Sequence, residues 1–65
     1  MPNITVEGPA VNDLEKKRAF ARKLTDAACE YYAGIPRAAV VVIVKENAPE
    51  NVAVGGELIC DRIKK

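Results

Sequence analysis

Histidine and tryptophan are absent from this 65-residue chain, and cysteine occurs only twice, at Cys29 and Cys60. Without histidine, two thiols cannot complete a four-ligand zinc site, so no metal and no cofactor is expected. Long apolar runs are missing too. The longest, Ala38 to Val44, falls far below the ~20 residues of a membrane span. There is no excess of one charge: ten basic and nine acidic residues leave a net charge of +1. The signs alternate closely, as in Glu15-Lys16-Lys17-Arg18 and Lys45-Glu46. Such mixing makes a solvated face rather than the basic stripe of a nucleic-acid binder. The opening residues MPNITVEG carry neither the basic nor the apolar part of a secretion signal. A cytoplasmic location with both thiols reduced is the expectation.

Size sets the next constraint. Residues 1–65 make a single domain, and a chain this short buries only about 60% of the surface that its unfolded form exposes. Small scaffolds compensate with disulfides, a metal or an oligomer interface. With the first two disfavoured, self-association remains.

Along the chain, Ile4-Thr5-Val6-Glu7 alternates apolar and polar, as a half-buried strand does, and Gly8-Pro9 reads as its end. Asn12 followed by Glu15 fits a helix N-cap with a capping box, and Asp13 adds negative charge to the first turn. Leu14, Phe20, Ala21, Leu24, Ala27, Ala28 and Tyr31 then recur at three- and four-residue spacing, one stripe of an amphipathic helix of about five turns. Gly34 and Pro36 stop it. Of the two tyrosines that close the helix, Tyr31 and Tyr32, one ring is expected in the core and the other at the surface. Cys29 and Cys60 read as small packing residues rather than nucleophiles.

The second strand, Ala38 to Val44, is β-branched and has no polar alternation, so both of its faces expect cover. A crossover of helical length makes the two strands parallel, with a right-handed connection. One helix covers one face, and the other face must find a second copy of the chain. Asn47 to Asn51 has loop chemistry, Val52 to Val54 is a short extended piece, and Gly55-Gly56 turns sharply. Glu57 to Ile63 is a brief apolar-polar segment, followed by a basic Lys64-Lys65 end.

Catalytic groups are scarce, and Pro2 stands out among them. Removal of Met1 would leave a secondary amine at the start of a strand. A free α-amino group has a pKa of about 7.7–8.0, lowered further by burial or by a nearby cation. Such an amine is a general base that needs no side chain.

Proline directly after the initiator, β-α-β in this length, an apolar second strand and Asn51-Val-Ala-Val-Gly-Gly-Glu-Leu58 together resemble the 4-oxalocrotonate tautomerase family, in its divergent branch. The resemblance spans the whole chain. It implies an α+β subunit: a parallel two-stranded sheet plus a C-terminal short strand or hairpin, completed by oligomerisation into a homohexamer, a trimer of dimers. It also implies enol–keto isomerisation of a 2-hydroxydienoate such as 2-hydroxymuconate, or of an enolpyruvate, with Pro2 moving the proton. The sequence departs from the family where well-known members carry two arginines and an aromatic residue. Those places hold Asn12, Val41 and Val52, with a one-residue insertion around Ala33-Gly34. Arg37 is then the candidate cation for a substrate carboxylate, Asn12 a hydrogen-bond donor from a neighbouring subunit, and Val52 part of an apolar wall. Two alternatives stay open: hydration or decarboxylation of small acids with protonated Pro2 as the acid, and a non-catalytic oligomeric binding module.

Overall fold

The computed structural model describes residues 1–62; the expectations for Ile63, Lys64 and Lys65 lie outside the described residues. Strand β1 (Asn3–Pro9) leads into helix α1 (Leu14–Tyr31). A 3₁₀ turn (Arg37–Ala39) precedes strand β2 (Val41–Asn47), and a second one (Pro49–Asn51) follows it. Strands β3 (Ala53–Val54) and β4 (Glu57–Leu58) then form a hairpin, followed by the short helix α2 (Ile59–Arg62). This is the expected β-α-β unit with a C-terminal hairpin. β1 and β2 are parallel over seven pairs, from Asn3 opposite Val41 to Pro9 opposite Asn47.

Both strands differ in extent from their sequence signals. β1 continues through Gly8 and Pro9. Proline is tolerated there because β1 is an edge strand in the isolated protomer, and its missing N–H has no ladder partner to lose. β2 starts at Val41 rather than Ala38, because residues 37–39 close a 3₁₀ turn in which the Val40 N–H donates to the Arg37 carbonyl at 3.1 Å.

The helix cap is Asp13, one residue after the expected Asn12. Its side chain accepts from the Lys16 N–H at 3.2 Å. A carboxylate caps as well as an amide does and adds a favourable charge at the positive end of the helix dipole. Glu15, free of the capping box, pairs instead with Arg18. At the other end the Tyr32 N–H still bonds the Ala28 carbonyl at 2.8 Å, and Gly34 leaves the helix with φ of +98°.

Strand parity decides what α1 covers. The lower exposure of Ile4, Val6 and Val42, together with the Lys17–Glu46 ion pair, places residues 4, 6, 8, 42, 44 and 46 toward the helix. Asn3, Thr5 and Glu7 of β1 and Val41, Ile43 and Lys45 of β2 form the opposite face, where all six are exposed among the described residues. The expected division between core and surface for the tyrosines does not hold. Tyr31 is 80% and Tyr32 48% exposed, and the two rings stack edge to face at 4.8 Å.

The protomer has almost no interior. Among the described residues, Ala28 alone is buried. The accessible surface is 5164 Å², whereas a compact 7.0 kDa monomer would show about 4,000 Å². The radius of gyration is 15.5 Å against about 11 Å for a compact chain of this length. The hairpin and α2 pack chiefly on the Pro49–Asn51 turn and on each other. Apolar residues are 49% of the chain, yet many of the large ones, among them Phe20, Val41, Ile43, Val44, Val54 and Leu58, stay exposed in the protomer.

Candidate active site

Pro2 occupies the entrance to β1. Its carbonyl accepts the Val41 N–H at 3.0 Å, so the residue is anchored to the sheet just ahead of the first strand pair. The ring is half-buried, while Met1 in front of it is 87% exposed.

Arg37 lies at the same end of the sheet, in the turn that delivers the chain to Val41. Because the strand does not reach back to it, Arg37 does not share the strand parity of Val41. Its guanidinium crosses to α1 and donates to Asp26 Oδ1, with both side chains more than half exposed. That hydrogen bond, reinforced by the charge of Asp26, holds the Arg37 pKa above its ordinary value. The guanidinium is permanently cationic. Asp26 was invisible as a partner in the sequence, since it stands 11 positions away on another element and follows no periodicity that links them.

Asn12 and Val52 are at the opposite end. Seven strand pairs put about 20 Å between the two ends of the sheet. Asn12 is exposed in the loop between β1 and α1, and Val52 is half-buried between the Pro49–Asn51 turn and the hairpin. The Val52 carbonyl accepts the Ile59 N–H at 2.8 Å, which ties α2 to the start of the hairpin. Val52 also lines a largely apolar cleft of about 410 Å³ together with Gly8, Pro9, Pro49 and Ile59. One protomer thus places Pro2 and Arg37 at one end of the sheet, and Asn12 and Val52 toward the other.

A second charged cluster fixes the far end. Glu46, near the end of β2, accepts from Lys17 Nζ at 2.9 Å and from the Val11 N–H at 3.1 Å. These two interactions, Lys17 foremost, pull the Glu46 pKa below its ordinary value. One carboxylate thereby joins β2, the loop that carries Asn12, and α1. Its charge-mixed sequence context gave no sign of that role. Cys29 and Cys60 are both half-buried and unbridged.

Comparison with known proteins places this geometry. A family model described as "Tautomerase enzyme" matches residues 2–62, so the match begins at Pro2. The chain is 36% identical over 62 residues to a "Probable tautomerase" of Bacillus cereus, covering 95% of this chain and 100% of that protein. Among solved structures it resembles TomN, a 4-oxalocrotonate tautomerase homologue of the tomaymycin biosynthetic pathway. The identity is 36%, with 98% of this chain and 97% of that one covered at a TM-score of 0.84. A heterohexameric 4-oxalocrotonate tautomerase from Chloroflexus aurantiacus superposes with a TM-score of 0.77 at 28% identity, over 94% of this chain and 97% of that one.

Proposed function

The chain belongs to the tautomerase family, and from that premise we propose that it is an enol–keto isomerase whose general base is the nitrogen of Pro2. The substrate class is a 2-hydroxydienoate or enolpyruvate, with 2-hydroxymuconate as the di-acid representative. The observation that carries this reading is the setting of Pro2, half-buried and pinned by its carbonyl at the head of β1 behind an exposed Met1. Removal of Met1 would convert a tertiary amide without basicity into a secondary amine held in a fixed place. The neutral amine takes the enol hydroxyl proton and delivers a proton to a distant carbon. A base positioned in this way contributes about 10²- to 10⁴-fold.

Charge that develops on the dienolate oxygen needs donors nearby. Arg37, at the Pro2 end, supplies a cation for the substrate carboxylate. Asn12 and Val52 follow the strand ends opposite the Pro2 of their own protomer, so they would serve a Pro2 of another copy. Asn12 then offers an amide donor, and Val52 an apolar wall that favours the neutral amine. The exposed sheet face and projecting hairpin support this division of labour. The assembly we propose is a homohexamer, a trimer of dimers, of the kind that the resemblance implies.

The test is ultraviolet monitoring of ketonisation with protein shown by mass to lack Met1. It uses 2-hydroxymuconate and the mono-acid phenylenolpyruvate, with Pro2→Ala in parallel. Turnover of either compound that falls by two orders of magnitude or more in Pro2→Ala is the expected result. Equal rates in the two proteins, both folded and oligomeric, would remove Pro2 from the chemistry.

A further inference from the structure

We propose that Asp26 is a specificity-determining residue, an internal carboxylate that competes with the carboxylate of the substrate for Arg37. The inference rests on the assignment of Arg37 as the substrate's cation and deepens it. In the protomer Arg37 already binds a carboxylate, that of Asp26, so its guanidinium geometry is suited to an oxyanion. Asp26 Oδ1 takes one of the five guanidinium N–H groups and leaves the others for a second acceptor. Its negative charge nevertheless cancels that of Arg37, and an arriving carboxylate meets repulsion at the same cation.

The pair is weak enough to yield. With 56% of the Arg37 side chain and 64% of the Asp26 side chain exposed, water and salt screen the attraction, and such a pair is favoured by no more than about fivefold. Asp26 also has other cations within reach. Arg22 and Lys23 stand four and three positions before it on α1, the spacing at which helical side chains meet. When a substrate displaces it, the aspartate exchanges one exposed ion pair for another, at little cost. Asp26 therefore sets how strongly Arg37 attracts an anion while taking no part in proton transfer.

The experiment compares Asp26→Asn, Arg37→Ala and the double variant, using phenylenolpyruvate, which carries a single carboxylate. Asp26→Asn is expected to lower KM about two- to fivefold at low salt, with kcat unchanged and the gain shrinking as ionic strength rises. Arg37→Ala raises KM, and Asp26→Asn added to Arg37→Ala brings no further gain. An unchanged KM in either single variant, or a gain that persists without Arg37, overturns the proposal. Calorimetric binding of phenylacetate, an unreactive mono-acid, separates this inference from the proline chemistry. If Pro2→Ala proves as active as the parent, the same Arg37-dependent tightening on Asp26→Asn is still required, and its absence overturns the role of Asp26 alone.

Discussion

Replacing Ile43 with lysine tests whether the open face of the sheet is an interface. Ile43 lies on that face beside Val41, opposite Thr5, and 45% of it remains uncovered in the protomer. Full burial of an isoleucine stabilises by about 1.5–3 kcal/mol, so covering this remainder contributes roughly 0.7–1.4 kcal/mol per chain. Ile43→Lys forfeits that gain and also forces a charge into a desolvated surface. Unless a partner is found, that adds several kcal/mol. Each interface contains the change at least twice, since copies of one chain carry it together. Sedimentation at micromolar concentration should show the parent as an oligomer and Ile43→Lys shifted toward monomer. The parent melting temperature should fall on dilution, by mass action, with up to about 1.4 kcal/mol per chain lost for each tenfold step. A variant that sediments and melts like the parent would show that this face is not an interface. A parent that is monomeric, with a melting temperature independent of concentration, would refute the whole argument from surface area.

Three further outcomes are expected. The rate of ketonisation should rise with pH through the pKa of the Pro2 amine, because the neutral form is the base; a fall over the same range indicates the acid chemistry of a hydratase or decarboxylase. Glu46 has its pKa depressed by Lys17 and the Val11 N–H, so its contribution to stability is present above the ordinary glutamate value and lost as pH falls through the lower folded one. Thermal melts from pH 7 to pH 3 should therefore show a steeper acid-side loss in the parent than in Glu46→Gln; parallel curves would remove Glu46 from that linkage. Gly56→Ala should destabilise by about 1–2 kcal/mol, since Gly55 and Gly56 turn the hairpin with φ of +60° and +85°. Equal midpoints in urea would contradict it.

The element types were legible in the sequence because local rules govern them. The Ile4–Glu7 alternation, the apolar stripe from Leu14 to Tyr31 and the unbroken Ala38–Val44 run each carry their own periodicity. The Gly55-Gly56 pair appears in the structure as a two-residue turn between β3 and β4, with both φ values positive, as primed hairpin turns require. The open sheet face was legible too, since one helix cannot cover two apolar faces. Boundaries were less so. Asn12 and Asp13 are nearly equal as caps, and only the backbone path from Pro9 to Leu14 selected Asp13. The 3₁₀ turn at Arg37–Ala39 moved the start of β2 from Ala38 to Val41, which no residue pattern announced.

Chemistry divides in the same way. The sequence by itself offered Pro2 as a candidate, because a proline directly after the initiator would become a secondary amine if Met1 were removed, and the family resemblance gave that candidate its weight. The other candidates, Arg37, Asn12 and Val52, came from where the sequence departs from the family it resembles. Only tertiary structure decided that Pro2 and Arg37 share one end of the sheet while Asn12 and Val52 occupy the other. Arg37 meets Asp26, and Glu46 ties Val11 to Lys17, through contacts between separate elements. Such contacts depend on how a helix lies across a sheet, and side-chain identity along a line of sequence does not encode that crossing in any local pattern.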